Sequence, residues 1–136
     1  MGAFVMKTVG LNRLQNLMKG SKEKLQSHMF KQMKIAVEVI IGETKRNIRG
    51  SRASNPPEIL GIRTGRLRSS ITGQTKRRRG NVVGTIGTNV DYAAKHEFGL
   101  EGLPKRPFIT PALEKKADEV QDILATAFDK TFPTGR

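Results

Sequence analysis

From Leu25 to Ile48 the apolar positions Leu25, Met29, Met33, Val37, Ile40, Ile41 and Ile48, together with Thr44, recur every three or four residues. That spacing predicts one helix about six turns long with a single buried stripe. Lys22, Lys24, Lys31, Lys34, Glu38 and Glu43 fall largely off the stripe, Ser21 stands where an N-cap belongs, and Gly50 ends the pattern. Upstream, "AFVMKTV" (Ala3 to Val9) alternates weakly and predicts a short strand. Gly10 then turns the chain, and Leu11, Leu14, Leu17 and Met18 sit at helical spacing, so a short helix is expected before Gly20.

Downstream the period changes. "GSRASNPPEILG" (Gly50 to Gly61) has the Ser, Asn, Gly and Pro content of a loop. The next stretch predicts a hairpin, with strands from Leu67 to Lys76 and Val82 to Thr88 and a turn at Gly80-Asn81. Ile71 anchors its first strand, and Val82 and Ile86 share a face with Gly84 between them. Glycines within these strands suggest curvature or a bulge. A last helix opens at Thr110, the expected N-cap, with Pro111 in the first turn. Leu113, Ala117, Val120, Leu124, Ala127 and Phe128 line one face of it, before a frayed end at "FPTGR". Together these predict an α+β fold: a small antiparallel β-sheet packed against one long helix in the N-terminal half and a C-terminal helix.

Length and composition narrow this picture. A chain of 136 residues fits one domain over 1–136. With 36% hydrophobic residues the core is modest, and long exposed segments are expected. There is no cysteine, which removes disulfides, thiolate metal sites and a cysteine nucleophile. Neither a secretory leader nor a membrane span is expected, since the longest apolar run, "IAVEVIIG", is short and broken by Glu38.

The net charge of +13 is unevenly spread. Lys45 to Arg79 holds eleven Lys or Arg against one acid, Glu58, which is +10 in that segment and leaves +3 for the rest. An excess of this kind implies phosphate, an acidic partner surface or an exposed loop, and a flexible basic loop is expected at about 50–66.

The candidate chemistry lies in "NVDYAAKHEFG" and "RPFITPAL". Asp91, Tyr92, Lys95, His96 and Glu97 are residue types that serve a catalytic site or a docking surface equally well. Catalysis finds little support. His96 lacks the second histidine of a zinc helix, His28 has no partner at ligand spacing, and Asp91 with Glu97 fixes no geometry. No catalytic residue, cofactor or metal ligand is assigned. For nucleic acid, "GTIG" falls inside a predicted strand, unlike the loop of a KH module, and one Tyr without Trp makes a poor stacking platform. What remains is sequence-independent phosphate attraction. For a docking surface, Tyr92, Phe98 and Phe108 are three of seven aromatics gathered in one Gly/Pro-rich segment. Burying one such ring contributes about 1.5–3 kcal/mol, so three would pin the loop and leave the charges between them as an outward rim.

"VGLNRLQNLMKG", "TGRLRSSI", "GTIGTNVDYAAKHEFG" and "RPFITPALEKKADEV" occur in this order. In that order they resemble the tail-completion, or head–tail joining, proteins of tailed bacteriophages, also catalogued as minor tail or virion-morphogenesis proteins. The resemblance runs from Phe4 to about Phe128, and "YAAKHEFG" followed by "RPFITPAL" is its most specific part. It implies a non-enzymatic virion protein of the neck or tail end, assembled in the host cytoplasm into a ring, typically six-fold. Such a ring joins the head connector to the tail terminator or tail tube and lets DNA pass. Tyr92, Phe98 and Phe108 would then anchor the loop, and Lys95, His96, Glu97 and Arg106 would face a neighbouring subunit or partner. Arg77, Arg78 and Arg79 would meet DNA or an acidic connector surface. The alternative is a small basic protein that binds DNA regardless of sequence.

Overall fold

The computed structural model describes residues 3–7, 21–51 and 55–133. Its elements are β1 (Ala3–Lys7), α1 (Lys22–Asn47), α2 (Arg66–Ser70), β2 (Thr72–Arg78), β3 (Asn81–Gly87), α3 (Ala93–Phe98), α4 (Thr110–Lys115) and α5 (Ala117–Thr131). The three strands form one antiparallel sheet in the order β1-β3-β2. The α+β class expected from the periodicity is the fold observed. The short helix expected at Leu11 to Met18 lies outside the described residues.

The apolar stripe expected along helix α1 is buried throughout, and burial extends beyond it to Gln32, Ala36 and Glu43, the last expected off the stripe. Met33, Val37 and Ile41 press on the sheet at Gly84 and Gly73. The row His28, Gln32, Ala36 and Glu43 lies along one flank of this broad buried face, where His28 Nδ1 meets Thr131 Oγ1 of α5 at 2.8 Å and Lys115 Nζ of α4 donates to Glu43 Oε1 at 2.5 Å. The helix is therefore the middle layer, between the sheet and α4–α5. Polar Gln32 and small Ala36 belong to this flank, and a search for large apolar residues passes over both. The Thr131 hydroxyl also donates to the Ala127 carbonyl at 2.6 Å, so the His28 ring nitrogen is the donor in their contact.

The strand glycines have a different cause from the one expected. The β2–β3 register runs unbroken from Thr72↔Gly87 to Arg78↔Asn81, without a bulge. A Cβ on Gly84 would lie 2.7 Å from Val37 Cγ2 and 2.9 Å from Met33 Sδ, and one on Gly73 would strike Val37. Glycine here lets the long helix approach the sheet backbone closely.

Three boundaries depart from expectation. Arg66–Ser70 is a helical turn rather than the start of a strand. Gly65 enters it at φ 74°, and the Ser69 and Ser70 hydroxyls donate to the carbonyls of Arg66 and Leu67. Such local bonds compete with a sheet ladder. The hairpin turn is Arg79-Gly80 rather than Gly80-Asn81, with both residues at positive φ (47° and 84°). The C-terminal helix is interrupted at Lys116 (φ −98°, ψ 5°). The base of the 50–61 loop is closed by Arg49 N–H to Leu60 O (3.1 Å) and Ile62 N–H to Gly50 O (2.8 Å).

Candidate functional site

The segment from Asn89 to Thr110 is organised around one carboxylate. Gly99 ends α3 in the left-handed conformation (φ 67°), and the chain then returns through Leu100–Pro107 to the start of α4. There Glu97 Oε2 accepts the N–H groups of Phe108 (2.7 Å) and Ile109 (3.1 Å), and Oε1 accepts Thr110 N–H (2.8 Å) and its hydroxyl (2.6 Å). These amides open a helix and have no partner within it. A carboxylate suits them doubly, through charge-assisted bonds and through the positive end of the helix dipole. Thr110 is thus the first helical residue, with Ile109 as N-cap and no side-chain cap from its own helix.

Glu97 is 2% exposed, the reverse of the rim position expected for it. Phe108 is wholly buried, and its carbonyl accepts from Asn47 Nδ2 at the end of α1 (3.0 Å). Tyr92 and Phe98, expected to anchor the loop beside it, are 37% and 50% exposed. The anchoring falls to Phe108, Ile109 and the Glu97 bonds, because short α3 has only one inward side and Ala93 and Glu97 occupy it. Tyr92 meets the His96 ring edge-on at 6.0 Å. Leu100 and Leu103 are exposed as well, so four large apolar side chains lie outward between positions 92 and 103.

The expected rim residues divide. Lys95 Nζ pairs with Glu101 at 2.5 Å on the surface. Arg106 is half-buried; its N–H donates to His96 O (2.8 Å) and its Nε to the Pro57 carbonyl, which fastens the 50–61 loop to this segment. His96 is half-buried with no partner for Nδ1. Burial holds its pKa below that of an ordinary histidine, and the Arg106 guanidinium adds repulsion. Arg77, Arg78 and Arg79 are exposed at the hairpin tip, with the Arg77 guanidinium 5.2 Å from the Phe30 ring centre. Gln26 Nε2 donates to the Gly80 carbonyl at 3.1 Å and ties that tip to the start of α1.

A catalytic arrangement is not formed by these groups. Glu97 is committed to four donors inside while Asp91 is exposed, so they do not act as paired carboxylates. No group of three or more His, Asp or Glu that could hold a metal occurs among the described residues. The cavity beside Glu97 and Phe108 is about 50 Å³, too small for a substrate. A larger groove of about 510 Å³ runs between residues 60–68 and the Tyr92–His96 face of α3. Its rim carries Arg63 and Arg66, expected in the basic loop, and Arg68, expected in the first hairpin strand, none of them given a role from the sequence. Their signal was the spacing in "IRTGRLR", where each arginine neighbours an apolar residue or a glycine. No local signal marked Glu97, whose donors are eleven to thirteen residues away.

Residues 12–99 match the model of the HK97-gp10-like family, described as "Bacteriophage HK97-gp10, putative tail-component". No curated protein and no solved structure matches the chain. The family match covers well over half of the chain. This protein belongs to the HK97-gp10-like family of bacteriophage tail components.

Proposed function

We propose that this tail component is a structural protein of the virion neck or tail end, where copies form a ring that joins the head connector to the tail and surrounds the passing DNA. The observation that carries this reading is the presentation of Phe98, Leu100 and Leu103. All three are exposed, and all lie on a segment fastened at both ends by the Glu97 carboxylate and the Arg106 bonds. Apolar side chains held outward on a fastened segment fit a protein interface, where the ordering cost is met before the partner arrives. Lys95, His96 and Arg106 form its polar surroundings. Tail terminator, tail tube and connector proteins are the partners proposed for it.

Arg78 and Arg79 lie exposed at the hairpin tip and supply the charge for a surface that meets DNA or an acidic connector. Six copies, each with about +10 in the Lys45–Arg79 segment, would gather about 60 positive charges around one axis. The second reading, a sequence-independent DNA-binding protein, draws on the same tip. It requires the free protein to bind duplex DNA with a log–log salt slope of about −0.9 per phosphate contacted. Deletion of the gene in its phage tests the first reading. Filled heads and complete tails that fail to join are expected, and normal infectious particles refute it.

A further inference from the structure

The basic groove and the outer side of α5 are complementary surfaces on one chain. On the groove, Leu60 and Leu67 form a buried apolar floor and Tyr92 part of the facing wall. Arg63, Arg66 and Arg68 are exposed at the rim, and none of them is in an ion pair among the described residues. On α5, Val120 and Ala127 are buried and Ile123, Leu124 and Phe128 pack against the core, which turns Asp118, Asp122 and Asp129 outward. Their spacing of four and seven residues places them in one row along the helix. Ala125, also exposed, leaves the row low between Asp122 and Asp129. Lys115 and Lys116 are nearby cations, but they pair with Glu43 and Glu119, and none of these aspartates is in an ion pair among the described residues.

We infer that the groove of one copy receives the aspartate row of the next. The inference rests on the ring reading and names the contact by which copies would join. Copies of a chain with net charge +13 repel each other at a distance, so association through charge requires the few acids to be grouped. Outside the acids already bound within the chain, this row is such a group. Guanidinium forks suit carboxylates, and apolar walls beside them limit screening by water. The two surfaces are different, so the contact is heterologous: each copy gives one side and receives on the other, and rings or filaments follow.

The test uses the purified full chain in sedimentation velocity over a concentration series at about 0.01 M and 0.5 M salt, conditions that move the screening length from about 30 Å to a few ångströms. The wild type is expected to self-associate at low salt and to lose at least ten-fold in association constant at high salt. The groove variant R63S/R66S/R68S and the row variant D118N/D122N/D129N should each remain monomeric. Mixed in equal amounts they should form a dimer and nothing larger, because only one intact groove and one intact row meet. A chain that carries both reversals, R63E/R66E with D118R/D122R, should associate again. These positions are exposed, and unchanged circular dichroism melts confirm folding. A wild type that stays monomeric at low salt, or variants that associate as it does, overturn the inference. The ring reading is tested separately by the copy number of the protein in purified virions. Several copies in virions with charge-insensitive association would overturn this contact and leave the ring; a single copy would overturn the ring.

Discussion

Replacing Glu97 by Gln changes one oxygen into an NH2 group and almost nothing in shape. The carboxylate accepts four bonds, two on each oxygen. In the Glu97→Gln side chain one of those two positions presents a donor to donors. Turned toward Oε2's partners, the NH2 would strip the acceptor from the buried amides of Phe108 and Ile109, at about 1–3 kcal/mol each. Turned toward Thr110, it faces a hydroxyl that can rotate and accept, so only the half-buried Thr110 amide loses its partner. The side chain will take the second orientation. Adding the lost charge assistance, a destabilisation of about 2–3 kcal/mol is expected for Glu97→Gln. For Glu97→Ala, which orphans all four donors, about 4 kcal/mol or more is expected. For a domain stabilised by about 5–15 kcal/mol these are large fractions. Urea unfolding followed by circular dichroism gives the midpoints, and hydrogen exchange locates the effect at the amides of Phe108, Ile109 and Thr110. Glu101→Gln, on the surface, is the control and should change stability by less than about 0.5 kcal/mol. A Glu97→Gln protein within about 0.5 kcal/mol of wild type, with unchanged protection at those amides, would refute the view that this carboxylate organises the loop.

Gly84→Ala forces a Cβ against Val37 and Met33 and should cost about 1–3 kcal/mol by thermal melting. The cost should shrink in a Val37→Ala background, and additive effects would contradict the close approach. Phe108→Ala should cost about 3–5 kcal/mol, whereas Phe98→Ser should leave unfolding within about 0.5 kcal/mol of wild type but abolish head–tail joining. Equal effects of the two on stability would show that both rings anchor the loop. His96 should titrate in NMR below an ordinary histidine, and Arg106→Gln should raise its pKa, since burial and the guanidinium both lower it. Because the folded pKa lies below the unfolded one near 6.5, the unfolded chain binds more protons as pH falls from about 7, and stability declines there. His96→Gln should flatten that part of the stability–pH curve, and an unaltered curve would remove His96 as its source.

Much of the fold was legible along the chain. Elements that bury one side write a local period, so α1, the hairpin and the amphipathic C-terminal helix could be read from spacing alone. The order of motifs along the chain by itself indicated a phage tail family. The candidate site was less legible. Its expected residues do lie together, but inward and outward positions were exchanged for Glu97 and Phe98, because within a six-residue helix the inward side is set by what lies beneath it. A carboxylate also reads as solvent-seeking, and Glu97 contradicts that only through backbone amides eleven to thirteen residues later.

The same distinction runs through the whole molecule. By itself the sequence determined the class, the long helix, the basic segment and the absence of cysteine chemistry, since these depend on residue type and near-neighbour spacing. Tertiary structure alone decided that the buried face of α1 extends past its apolar stripe to Gln32, Ala36 and Glu43, that strand glycines make room for Val37 and Met33, and that Glu97 caps α4 from another helix. It also brought Arg63, Arg66 and Arg68 beside the Tyr92–His96 wall. Each of these joins groups distant along the chain, and the energy of such a contact depends on separation in space, which no local pattern of residues encodes.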